Sequence, residues 1–432
     1  MRPQKNLAKP FVFIAITILA WLPSTVHAQA TLLLEEPYSY DGNFAGTGHV
    51  AVYLSRICAD APTILRRCHV GETGVVISRY HRVAGHDWIA IPVIPYLYAV
   101  DRREDVPLYA DKKLVAFLRT QYLEKLGIND NDAYQLVGSS YDRASYGFRI
   151  NTTPEQDDEL ISVLNSVPNQ GAYKLLNRNC ADFAKQIINF YYPHAIHRSI
   201  IADLGITTPK QSAKSLSHFA KHHPEMQLTT MIIPQVPGLK RSKSVHGVLE
   251  SLVLAKKYVT PVLLFHPFLV GTVEVTYLAG WRFNPAKGAL IFDPSTAASG
   301  NDLSAWLERP LPKEQRNSYK ELAESVKREA GEDEAVNWRN VLRKAEPQLD
   351  IEGRPFLRVT LDERSYEVGL SRSNALRLSG PPELTEQLML SRLQLELSPS
   401  KPSRISERQV KSDWHLLQRA VEARRAALTP EQ

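Results

Sequence analysis

Residues 177–191 read Asn-Arg-Asn-Cys-Ala-Asp-Phe-Ala-Lys-Gln-Ile-Ile-Asn-Phe-Tyr, and within them Phe183, Ala184, Ile187, Ile188 and Tyr191 recur at steps of three and four. That period predicts an amphipathic helix, which must lay one apolar stripe against a core built elsewhere in the chain. Cys180 lies one turn ahead on the same stripe, and Asn179 before it is a residue type that caps helix N-termini. A thiol in the first turn faces unpaired backbone N–H groups and the positive end of the helix dipole, both of which favour its thiolate. A cysteine on an apolar stripe is more often a small core residue. Which of the two Cys180 is depends on what the rest of the chain brings to it.

The first 28 residues have the layout of a signal peptide. Arg2, Lys5 and Lys9 precede a run over 11–22 in which Thr17 is the only polar residue, and Val26-His27-Ala28 supplies small residues for cleavage. The run is well short of the ~20 residues that span a bilayer, so cleavage is expected, with the mature chain starting near Gln29. The leader carries half the formal charge of +6, leaving 49 Lys and Arg against 46 Asp and Glu. Such a near balance, with scattered charges, gives no basis for a nucleic-acid partner, and none is expected. A length of 432 residues exceeds what one core usually serves, and the 44% hydrophobic content is that of a globular chain.

Export to an oxidising compartment makes the three cysteines informative. A bridge between Cys58 and Cys68 would close a short loop worth about 3 kcal/mol in the loop-entropy picture. Cys180 is then left unpaired, which in an exported protein points to a reactive thiol. The histidines offer no metal spacing: His69, His81 and His86, His194 and His197, and His222 and His223 match no ligand pattern. No phosphate-cradling glycine loop is present, and neither a metal nor a cofactor is expected. Tyr38, Tyr40, Tyr141 and Tyr146 are expected to pack under loops.

Along the chain, turn formers over 41–48 lead into His49, after which His49, Ala51 and Tyr53 alternate with Val50, Val52 and Leu54 in the manner of a half-buried strand. Strands are predicted again at 74–80 and 88–98, the last at an edge because of Pro92 and Pro95, and together they suggest an antiparallel sheet. Helices are predicted at 112–126 and, opened by Pro154, at 154–164. Residues 139–153 read as a loop or edge strand, and 173–176 as a strand that delivers Cys180.

Gly48-His49-Val50-Ala51-Val52-Tyr53, followed much later by Asn179-Cys180-Ala181-Asp182-Phe183-Ala184, resembles the circularly permuted branch of the papain-like superfamily, which holds the NlpC-type hydrolases and the lecithin:retinol acyltransferase-like proteins. The likeness covers residues 35–195. It implies an α+β fold in which an antiparallel sheet packs on the cysteine helix, with Cys180 as nucleophile and His49 as base. The third polar residue of that family falls within 74–81, where Ser78, Tyr80 and His81 compete; His81 is taken with Cys180 and His49 as the catalytic set. The Cys180 N–H is the natural first donor of an oxyanion hole. Asp182, two residues on, should point away from the thiol. The resemblance implies a periplasmic or cell-envelope thiol hydrolase that cleaves an amide or peptide bond, with the cell wall as first candidate. Its peptide or acyl substrate would belong to the envelope. The alternatives are acyl transfer or ester cleavage on lipid, and an idle domain that binds the envelope.

The organisation expected is a leader at 1–28, a catalytic domain at 29–225, an apolar connector at 226–300 and an accessory, mainly helical α+β region at 301–432. Within the connector, 259–281 is largely apolar but carries Pro261, Pro267 and Glu274, so a buried core segment is expected, with a membrane hairpin as the alternative. Farther on, helices are predicted at 248–258, 313–330 and 334–344, a hairpin at 356–370, and a last helix whose Val410, Trp414, Leu417, Val421 and Leu428 form a narrow seam that packs on its own domain.

Overall fold

The computed structural model describes residues 28–38, 47–128 apart from 82 and 84, 131–254, 283–295, 302–331, 338, 340–361, 363–372, 381–398 and 404–429, with 268, 270, 271 and 275. The leader up to residue 27, the 41–46 turn, Tyr40 and nearly all of 259–281 lie outside them. Among the described residues no helix is long and apolar enough to cross a membrane.

The fold is α+β, built on an eight-stranded sheet of order β10-β9-β8-β7-β1-β2-β5-β6. Its strands are β1 (Ala28–Glu35), β2 (His49–Leu54), β5 (Val75–Ser78), β6 (Ile89–Pro92), β7 (Ser145–Thr152), β8 (Thr229–Ile233), β9 (Leu290–Phe292) and β10 (Leu307–Glu308). β3 (Ile57–Ala61) and β4 (Ile64–Arg67) form a separate hairpin, closed by the expected Cys58–Cys68 disulfide. The large sheet is mixed rather than antiparallel throughout, because β8 and β9 run parallel.

β1 is the central strand, and its side chains divide the interior. Ala30, Leu32 and Leu34 join Val50, Val52 and Leu54 in a core with the cysteine helix (Cys180–Tyr191). Leu33, Ala51, Tyr53 and Val76 face the opposite side, against helices Val93–Tyr98 and Lys112–Lys125. Both faces are therefore buried, with the period of two seen in β2 setting which residue goes where.

Several expectations change in detail. Ser145–Thr152 is an inner strand beside β1 and not an edge, because Tyr146, Phe148 and Ile150 bury one face while the backbone pairs on both sides. The strand expected over 88–98 stops at Pro92 and continues as a helix, which tolerates Pro95 in its first turn where an N–H has no helical acceptor. β6 does lie at the sheet edge. Residues 173–176 form no strand; a tight turn with backbone bonds between Lys174 and Arg178 presents Cys180 instead. The boundary expected after residue 225 falls inside the sheet, since β8, β9 and β10 extend it and Met231, Phe292 and Trp306 enter the same core as Leu33.

The C-terminal region contains the three-stranded sheet β11 (Glu346–Leu349), β12 (Pro355–Leu361) and β13 (Arg364–Gly369) and two long helices, Pro382–Glu396 and Glu407–Leu428, packed on each other. The last helix thus packs at home, with Val410, Leu417 and Val421 in the core it shares with Leu384, Leu388 and Leu393. Arginines bind this layer to the sheet. Arg404 pairs with Glu36, which also accepts from the Tyr146 hydroxyl at 2.9 Å and Ser242 at 2.5 Å; Glu36 is 1% exposed and Arg404 7%. Removing one partner of such a buried pair strands the other charge, so Arg404→Met is expected to cost about 3–5 kcal/mol by urea denaturation. Adding Glu36→Gln to it should recover part of that loss.

Candidate active site

Asn179 caps the cysteine helix as expected: its side chain accepts the Asp182 N–H at 2.9 Å, and Asp182 returns a bond to the Asn179 N–H at 3.3 Å. The Asn179 amide also donates to the carbonyls of Leu175 at 2.8 Å and Thr207 at 3.1 Å, so three segments meet at the helix start. Asp182 points away from the thiol, to Arg198 at 2.9 Å and the Thr207 hydroxyl at 2.6 Å.

His49 enters β2 from Gly48, whose φ of +70° is in the left-handed region. A Cβ there would meet the Glu35 carbonyl oxygen at 2.1 Å, so only glycine lets the chain pass this close to β1. Glu35 is in turn the register partner of His49. The Cys180 thiol accepts the backbone N–H of Val50, the amide of the His49–Val50 peptide bond, together with its own and the Ala181 N–H. The thiol of the nucleophile candidate thus meets the backbone at the mouth of β2, the strand that carries the base candidate.

Of the three residues that competed for the third position, the structure brings Ser78 to the imidazole. Its Oγ lies 2.9 Å from His49 Nε2 and donates to the Val50 carbonyl at 2.9 Å. A hydroxyl has one proton; with that proton on Val50, Ser78 accepts from Nε2–H, which leaves Nδ1 as the basic nitrogen. Tyr80 stacks on the imidazole at 4.7 Å between centroids and donates to Tyr96, which donates to Glu35. His81, chosen from sequence, is exposed and meets the edge of Tyr173 instead. Strand alternation explains the difference: by register Ser78, and Tyr80 two residues on, fall on the face of His49, whereas His81 falls on the other parity.

Arg79 was not legible as a site residue. Buried at 3% exposure, it holds Asp87 with two bonds of 2.7 Å, reaches the Asn179 carbonyl at 3.4 Å and lies over the Phe183 ring. It ties the end of β5 to the start of the cysteine helix. Tyr173 is the second omission: it lies close enough to Cys180 for the two groups to act on each other, and its ring meets His81 edge-on. Nothing in the spacing of Arg79 marks it, because it acts on Asn179 from 100 residues away.

Several of the remaining histidines and tyrosines have structural partners. His223 bonds Glu225 at 2.8 Å, His197 bonds Ser215 at 2.8 Å, and Tyr38 lies under the Arg143 guanidinium. The Tyr141 and Tyr146 hydroxyls bond the Tyr98 carbonyl and Glu36. Among the described residues one group has metal-like spacing, Cys58, Cys68 and Glu72, and both of its sulfurs are committed to the disulfide.

The site's charge state departs from expectation. Cys180 is 7% exposed, and burial pushes its thiol up to about 11 against the pull of the three N–H groups around it. Burial, helped by the Arg143 guanidinium, brings His49 down to about 3. Desolvation outweighs the helix terminus, and the pair rests as neutral thiol and neutral imidazole.

Both shifts have consequences for stability. His49 has a folded pKa below its ordinary 6.5, so its contribution is present above that pH and is lost as pH falls toward 3. The thiol is raised, so its contribution is present below the ordinary 9 and is lost as pH rises toward 11. His49→Gln should flatten the acid limb of a plot of urea midpoint against pH, and Cys180→Ala the alkaline limb. Iodoacetamide should alkylate Cys180 slowly at neutral pH and accelerate toward pH 11. Compared with protein-family models, with curated proteins and with solved structures, the chain finds no match in any of the three.

Proposed function

We propose that this chain is an exported, cell-envelope thiol hydrolase of the permuted papain-like kind, cleaving an amide or peptide bond, with Cys180 as nucleophile, His49 as base and Ser78 as the group that orients the imidazole. The observation that carries this reading is the His49–Ser78 contact at 2.9 Å, which leaves Nδ1 as the basic nitrogen at the start of the strand whose Val50 N–H acts on the Cys180 thiol. A histidine strand that precedes a cysteine helix, inside an α+β fold, supports the family assignment.

Because both groups rest neutral, the thiol proton passes to Nδ1 as sulfur attacks the carbonyl carbon, and no ion pair waits beforehand. The Cys180 N–H, the first donor available at the helix start, takes the tetrahedral oxyanion. The imidazolium then gives its proton to the leaving amine as the C–N bond breaks. Water, deprotonated by the restored imidazole, releases the acyl group and returns the thiol.

A second reading, an idle domain that binds the envelope, is favoured by the low exposure of the thiol and its neutrality. The two separate on an acyl-enzyme. Incubation with wall peptides and with p-nitrophenyl esters, followed by intact mass, should show an acyl adduct on Cys180. The adduct should vanish in Cys180→Ala, form roughly 10²–10⁴ times more slowly in His49→Ala, and form about five- to tenfold more slowly in Ser78→Ala, the worth of one hydrogen bond. No adduct from any substrate on the folded protein would give the site to the binding reading.

A further inference from the structure

The turn at 170–178 and the loop at 197–208 converge on the Asn179 amide, which bonds a carbonyl from each. Both segments turn large apolar side chains to solvent: Leu175 is 47% exposed, Leu176 62%, Ile200 81% and Leu204 59%. Leu204 moreover holds a φ of +54°, a left-handed backbone that a bulky residue seldom adopts. Strain kept together with an exposed side chain gains the free protein nothing, a pattern that points to a function for the exposed group.

The charge around this patch has one sign. Between residues 170 and 210 the only carboxylates are Asp182 and Asp203, 5% and 2% exposed. Two further carboxylates bond to the segment from other elements: Asp87 pairs with Arg79 and Arg178, and Glu250 pairs with Lys210 and His246. Lys174, His194, His197 and Arg198 are exposed, and Arg178 is half-buried. An apolar patch rimmed by cations, with no exposed carboxylate on its own loops, suits a surface that is apolar beneath and anionic above.

We propose that this face seats the protein on an anionic phospholipid bilayer, with Leu175, Leu176, Ile200 and Leu204 at the acyl boundary and Lys174, Arg178 and Arg198 among the phosphates. The seat adjoins the candidate site, because the Leu175 carbonyl on the same turn is held by Asn179, the residue before Cys180. It does not depend on Cys180 being a nucleophile, and vesicle binding tests it without any turnover.

The full chain should float with vesicles of phosphatidylcholine mixed with phosphatidylglycerol, and several-fold less with phosphatidylcholine alone or in high salt. The double variant Leu176→Asp/Ile200→Asp and the single variant Lys174→Glu should each cut the bound fraction several-fold. Ile351→Asp, an equally exposed apolar position far along the chain, should leave it unchanged. Thermal melts confirm folding, and if the double variant misfolds, Lys174→Glu decides. Absence of flotation, or flotation indifferent to the face variants, overturns the proposal. So does a concentration-dependent sedimentation shift abolished by the same variants, which would give the face to a second copy of the chain.

Discussion

Two adjacent carboxylates, Glu35 and Glu36, are buried at the end of the central strand, each 1% exposed, and much of the surrounding structure satisfies them. A carboxylate out of water costs several kcal/mol unless it is paired and hydrogen-bonded. Glu35 takes the Tyr96 hydroxyl at 2.7 Å and lies 3.5 Å from Arg143, whose guanidinium covers Tyr38. Glu36 takes Tyr146, Ser242 and Arg404. These partners come from helix Val93–Tyr98, from β7 and from segments as distant as residue 404, so the two charges fix how four parts of the chain assemble around the mouth of β2. His49 is held in that mouth by Ser78 and Tyr80, and Tyr80 is itself a link in the chain that ends on Glu35.

What could be read from the sequence were features with short periods. The cysteine helix, its Asn179 cap and the His49 strand follow from spacings of three, four and two, and the Cys58–Cys68 bridge from proximity along the chain. What escaped were features set by partners far away. Tyr146, Phe148 and Ile150 alternate no less clearly than Val50 and Val52, but their being an inner strand depends on β8, more than 75 residues later. The boundary after residue 225 failed for the same reason: an apolar, proline-broken stretch that reads as a connector contributes strands when a large sheet offers an open edge.

Within the site, the choice of Ser78 over His81 shows what residue type alone omits. Histidine is the better partner for an imidazolium by chemistry, and the region 74–81 offered one. Geometry decides otherwise, because position 78 is still in the strand and on the face of His49. The thiol pKa was misjudged for a related reason. The first-turn N–H groups that stabilise a thiolate are present, but their effect is worth less than the water that burial removes.

That neutrality would suit a thiol in the oxidising compartment proposed above. Thiolates, not thiols, attack disulfides and are oxidised through sulfenic acid, so a resting anion in the same chain as Cys58–Cys68 would be exposed to exchange and oxidation. A thiol raised to about 11 and 7% exposed is nearly inert until something enters the site. In the mechanism proposed above, the substrate carbonyl is that something: it supplies the electrophile and its oxygen takes the Cys180 N–H in one event. Reactivity is then conditional on binding, at the cost of a proton transfer that an ion pair would already have completed.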